Sequence, residues 1–183
     1  MEEQNLEGMK LTQVVKAWMD GRRWADSIDV SEDRMTSTVQ TFMTIREQVY
    51  KIFIETFEAE QALMIYLYSP YHVPRNRMDA VARILNRVNF RLDLGRFATN
   101  DGPDARPIQM KLVVDVEGSA LTVKQVETLL SQGVAAFRTY GLVLAECALS
   151  SRSVEEIWES FLLEESEGSE PWTLERVPTR LLN

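Results

Sequence analysis

The sequence predicts an α+β fold, with an antiparallel sheet packed against helices in the order α-β-β-β-α-β-β-α and a further helix and tail behind it. Three observations carry this reading. Residues 36–68 repeat with period two and are rich in β-branched and aromatic side chains. Residues 74–88 switch to a helical period, 107–116 switch back, and 122–149 hold the longest helical pattern of the chain. The links between the first strand-like runs are short and polar, which suits hairpins and not parallel crossovers.

Residues 1–9 read as a flexible amino terminus. Leu11, Val14, Val15 and Trp18 then fall at i, i+3, i+4 and i+7, one stripe of a short amphipathic helix. Its end is predicted at Asp20-Gly21, with glycine as the carboxy-terminal cap. Trp18 and Trp24 are assigned to the core beneath it, since two tryptophans on an amphipathic edge are more often packing than a ligand pocket.

Three strands follow. Val39, Thr41, Met43 and Ile45 share one face of the first, and Tyr50, Ile52, Ile54 and Thr56 one face of the second. Residues 62–68 form a nearly continuous apolar run, so the third strand belongs at the centre of the sheet. Ser69-Pro70 is read as its end, and Pro74 as the start of a helix. In that helix Met78, Val81, Ala82, Leu85 and Val88 form the buried stripe, while Arg77, Arg83 and Arg87 lie off it. Residues 96–99 read as a short strand, Asn100-Asp101-Gly102-Pro103-Asp104 as a turn, and 107–116 as a longer strand with Ile108, Met110, Leu112, Val114 and Val116 on one face. Asp101 and Asp104 lack the further ligands and closing glutamate of a calcium loop.

Thr122 with Gln125 is a capping box that opens the long helix. Gly133 and Gly141 within it mark a bend or a close approach, and Cys147 reads as a buried small apolar residue. Ser153 with Glu156 is a second capping box. Val154, Ile157, Trp158, Phe161 and Leu162 form the apolar stripe of the helix behind it, and Glu155, Glu156, Glu159, Glu164 and Glu165 make its other face acidic. This helix is either packed on the domain or a detachable recognition segment, and packing is the simpler reading. Residues 164–171 read as a linker. Trp172, Leu174, Val177, Leu181 and Leu182 form an apolar-rich tail suited to dock on this domain or on another subunit. The organisation is thus one α+β domain over 10–150, with 151–183 appended to it.

The 183 residues carry a net charge of −8, 45% hydrophobic and 26% charged residues, an ordinary soluble globular balance. The acidic balance argues against nucleic acid and anionic membrane surfaces. No apolar stretch approaches the ~20 residues of a spanning helix. The charge is uneven: residues 71–97 hold six arginines and two aspartates, net +4, which leaves −12 on the rest. That block is a solvated face with acidic neighbours or a basic face for an acidic partner. A single cysteine excludes an intrachain disulfide, and with no leader-like amino terminus the expected compartment is the cytoplasm.

Motifs for phosphate, dinucleotide or zinc binding and for serine nucleophiles are missing, so no catalytic, metal or cofactor residue is assigned. His72, the one histidine, is read as part of a turn. Asp115 and Glu117 sit together at a strand end, a pairing that any acidic protein offers many times over.

The order of elements, Pro74, the amphipathic helix, Asn89 six residues ahead of Gly95-Arg96-Phe97, the acidic turn, and the strand leading to Leu121-Thr122 together resemble the YbjN domain, whose members are described as bacterial sensory transduction regulators. The resemblance spans roughly residues 10–149. It implies a fold similar to type III secretion chaperones, which are small acidic proteins that commonly dimerise, and a non-enzymatic role. The expectation is a regulatory or chaperone-like module that binds a protein partner through a sheet or helix face, as a homodimer, with Met78, Val81, Leu85, Val88, Trp158 and Phe161 as the candidate dimer or partner face. The alternatives are a carboxylate-dependent small-molecule or metal enzyme, and a binder of RNA or acidic partners through the arginine-rich helix.

Overall fold

The computed structural model describes residues 6–99 and 107–167. Four helices and six strands follow one another as α1 (Lys10–Arg22), β1 (Ile28–Val30), β2 (Thr36–Ile45), β3 (Gln48–Phe57), β4 (Ala62–His72), α2 (Met78–Asn89), β5 (Arg96–Ala98), β6 (Pro107–Asp115), α3 (Val123–Leu149) and α4 (Val154–Glu167). The strands form one antiparallel sheet in the order β1-β2-β3-β4-β6-β5. The apolar run of β4 sits mid-sheet, where both its edges are paired, as its composition predicts.

Alternation decides which face is buried. Val39 and Ile45 of β2, Ile52 and Ile54 of β3, Leu63, Ile65 and Leu67 of β4, and Ile108, Met110 and Leu112 of β6 are all nearly inaccessible. They face the helices, foremost α3, whose buried residues line one side of it from Val126 to Ala148 and make it the central helix. Gly133 lets it approach: a Cβ there would lie 2.7 Å from Leu67 Cδ1 and 3.0 Å from Leu112 Cδ1. Of the two sequence readings for this glycine, the close approach is the one seen. Phe137 stacks edge-on to Phe97 and tilts against Tyr50, with ring centroids 4.9 and 4.7 Å apart.

The hairpin from β2 to β3 closes at Arg46 and Glu47, both at positive φ (46° and 64°), the pair of values that a two-residue type I′ loop demands. The predicted link was Glu47-Gln48; the ladder instead begins at Gln48, opposite Ile45.

Other boundaries also moved. β1 has no counterpart in the sequence reading, because three residues are too few to show a period. Gly21 lies inside α1, and the left-handed cap falls on Arg23 (φ 56°), whose N–H donates to Asp20 and Met19 carbonyls. β4 runs through Pro70 to His72, since the ladder with β6 shifts register between Tyr68 and His72. There Ser69 Oγ accepts from Ile108 N (3.0 Å) and donates to Tyr71 O (2.8 Å), closing the gap that proline leaves. In α2 the buried residues are Val81, Ile84, Leu85 and Val88; Ala82 is exposed and Ile84 takes its place, one helical turn before Val88. The segment read as a linker is helical as far as Glu167. The turn at 100–104 and the tail from Trp172 to Leu182 lie outside the described residues.

Candidate functional site

Two surfaces stand out. The first is the outward face of the sheet. The helices pack on the inward side chains, and among the described residues no helix lies over the other face. There β2 presents Phe42, half exposed; β3 presents Lys51, Phe53 and Glu55; β4 presents Met64, Tyr66 and Tyr68; and β6 presents Lys111 and Val113. Phe53 meets Tyr68 edge-on at 5.7 Å, and Tyr68 stacks with Tyr66 at 6.3 Å. Lys51 Nζ lies 4.7 Å from the Phe53 ring centre and Lys111 Nζ 5.5 Å from that of Tyr66. Both lysines spread along the rings and leave an aromatic strip between them. Partial burial raises the Glu55 carboxyl above its usual value, and Lys111 opposes that rise. A one-layer antiparallel sheet ordinarily turns polar side chains to water, so this composition is unusual. The signal for it was in the sequence: Phe53 and Phe57 on β3 and Tyr66 and Tyr68 on β4 alternate with the buried positions.

The second surface joins α2 to α4. Arg83 and Arg87 both reach Glu155, the latter at 3.3 Å, and Arg91 reaches Glu165 at 2.6 Å. Between the ion pairs Trp158 and Phe161 lie 5.2 Å apart, with Arg87 and Arg91 over the indole at 5.9 and 5.8 Å and Phe161 against Tyr140 at 5.6 Å. Arg77 secures the connection: its Nε donates to Cys147 O (2.9 Å) and a terminal nitrogen donates to Arg152 O (3.0 Å). The second capping box is present, with Ser153 N donating to Glu156 Oε2 (2.9 Å) and Glu156 N to Ser153 Oγ (3.2 Å).

The predicted site residues divide between these settings. Val81, Leu85 and Val88 belong to the chain's own core, and Met78 packs against it half buried. Trp158 and Phe161 are half buried at the α2–α4 seam. His72 is exposed at the end of β4, paired in the ladder with Pro107. Cys147 is fully buried, and burial holds its thiol above the usual range. Asp115 Oδ1 accepts from Glu117 N (2.8 Å), which makes that pair a turn. Among the described residues no group of three or more His, Cys, Asp or Glu is placed to hold a metal ion. The open groove between Pro74, Asn76 and Arg77 and the end of α3 carries no carboxylate.

The signature Asn89…Gly95-Arg96-Phe97 has a structural account. The Asn89 side chain pairs with the backbone of Phe97 in both directions, donating to Phe97 O (2.9 Å) and accepting from Phe97 N (2.7 Å). It supplies β5 with the partner that an edge strand lacks. Gly95, at φ 74°, lies so close to β6 that a Cβ would sit 2.9 Å from Lys111 O.

The model of the family described as "YbjN: Putative bacterial sensory transduction regulator" matches residues 12–146. The chain belongs to the YbjN family. No curated protein matches it. Among solved structures, YbjN from E. coli is similar with a TM-score of 0.50 at 10% identity, over 76% of this chain and 95% of that one. The ExsC–ExsE complex supplies a second likeness, with a TM-score of 0.52 at 16% identity over 75% of this chain and 96% of that one. The type III secretion chaperone-like fold predicted from the sequence is thus the fold observed. The YbjN match ends before α4 begins, so the acidic helix on the arginine face lies beyond the family's common part.

Proposed function

We propose that this YbjN-family protein is a non-catalytic regulatory or chaperone-like module of the bacterial cytoplasm that binds a polypeptide on the bare face of its sheet. The aromatic strip of Phe42, Phe53, Tyr66 and Tyr68, flanked by Met64 and Val113, carries the reading. Aromatic rings and methionine supply contact area with few or adaptable rotamers, the composition of protein interfaces. The strip runs across neighbouring strands and suits a segment with alternating apolar side chains. The family's description as a regulator supports this, as does the fold shared with a protein solved in the ExsC–ExsE complex.

We include a homodimer in the proposal. β1 pairs only with residues 37–39 of β2, so the rest of that strand, to Ile45, presents an open edge among the described residues. Two such edges paired about a twofold axis would make one continuous sheet. Sedimentation equilibrium should then return twice the chain mass of 21.0 kDa. Affinity capture from the native cell, run in parallel with the wild type and a Phe53→Asp, Tyr68→Asp variant, tests the sheet face. The wild type should retain a specific polypeptide that the variant loses while keeping its thermal transition. Equal capture by both, or none by either, would count against the reading.

A further inference from the structure

We infer that the α2–α3 surface beneath α4 is a receptor for an acidic, aromatic amphipathic helix, and that α4 is its built-in occupant. This inference is independent of the sheet-face reading. Its first support is charge complementarity. α4 has six glutamates and no basic residue, and α2 with the turn after it meets it with Arg83, Arg87 and Arg91. Its second support is the way α4 is seated. Only Val154 and Ile157 enter the core, both in its first turn. From Trp158 onward the seating is two half-buried rings at the edge of the core, Phe161 against Tyr140 and both rings beneath guanidinium groups, with the Arg91–Glu165 ion pair beyond them. Such contacts are reversible and salt-sensitive. Its third support is position: the YbjN match stops at residue 146, so α4 covers a surface that the family's common part leaves available.

The receptor reads three features that α4 displays: a carboxylate in the first turn for Arg83 and Arg87, an aromatic pair at i and i+3 for the Arg87–Arg91–Tyr140 pocket, and a carboxylate a turn later for Arg91. The partner it fits is a helix of that pattern presented by another protein. Such a helix displaces α4, and α4 sets the affinity threshold a competitor must exceed.

The test uses the full chain and a fluorescent peptide of residues 153–166. Wild-type protein should bind the peptide weakly, because its own α4 competes at high effective concentration. A Trp158→Ala, Phe161→Ala chain should bind it at least ~10-fold more tightly, and binding should weaken as salt rises. Replacing the peptide's glutamates with glutamine, or adding Arg83→Glu and Arg91→Glu to the loosened chain, should abolish it. A folded, loosened chain that ignores the peptide, or binds the glutamine peptide equally well, would overturn the inference. Hydrogen exchange of the unmodified protein provides a check that needs no variant. The amides of α4 beyond Trp158 should open well before those of α3, and exchange of both only through global unfolding would equally overturn it.

Discussion

Glu58 leaves the end of β3 and closes the amino terminus of α1 from across the sheet. Its carboxylate accepts from Leu11 N (3.1 Å), Thr12 N (2.9 Å) and Thr12 Oγ1 (2.9 Å). Met9 at the cap position offers no side-chain oxygen, so without Glu58 those donors would lose their partner. Thr12 also meets Ser37 and Thr56 at 3.0 and 2.9 Å, forming a fully buried hydroxyl cluster. Glu58→Ala is expected to cost about 1–2 kcal/mol, read from the urea midpoint, and Glu58→Gln less, since one acceptor oxygen remains. A second position tests backbone geometry. Gly95→Ala forces a left-handed φ on alanine and drives its Cβ against Lys111 O and Met110, so a loss of about 1–3 kcal/mol is expected, with β5 amides losing protection first in hydrogen exchange. The Asn89…Gly-Arg-Phe signature is thereby a device for holding an edge strand.

At the scale of elements, what was legible in the sequence was what is local. Both capping boxes stood out because donor and acceptor lie three residues apart, and β2, β3 and β6 because alternation needs only a strand's length. β1 was too short to show a period. Arg46 and Glu47 gave no sign of a type I′ loop, because neither is the glycine or asparagine such loops favour. Pro70 looked like a strand end because the register shift that accommodates it is a property of the pair β4–β6. The partnership of α2 with α4 joins residues more than sixty positions apart and leaves no local pattern beyond opposite charge. The second capping box also yields a pH dependence. Backbone and side-chain hydrogen bonds from Ser153 hold the Glu156 carboxyl below its ordinary value of 4.5. A carboxylate with a lowered folded value stabilises above its unfolded value, and that stabilisation is lost as pH falls through the folded one. Protection of the α4 amides should therefore hold above pH 4.5 and decline progressively beneath it. Glu156→Gln should make that acid limb shallower, leaving the part that belongs to the Glu155 and Glu165 ion pairs, and a wild-type limb unchanged by the substitution would sink the assignment.

For the whole molecule, the sequence shows a basic block in an acidic chain, and the structure shows three of the block's six arginines answered by carboxylates of α4. Glu155 meets Arg83 and Arg87, and Glu165 meets Arg91. With those carboxylates in place the arginine face offers little potential to a polyanion. The remainder of a chain of net charge −8 repels one at distances up to the Debye length, ~10 Å at 0.1 M salt. Nucleic-acid binding rests on basic groups free to displace phosphate counterions, and here the three that cluster are engaged. Wild-type protein is accordingly expected to pass through a heparin column at low salt. Glu155→Lys with Glu165→Lys removes both internal counterions and adds two positive charges beside the arginines. That variant should be retained and should elute as salt rises, while its thermal transition falls only modestly because exposed ion pairs contribute about 0–1 kcal/mol each. Retention of the wild type would mean that α4 does not neutralise the face in solution. Flow-through of the folded double variant would mean that the arginines never formed a polyanion site to be masked.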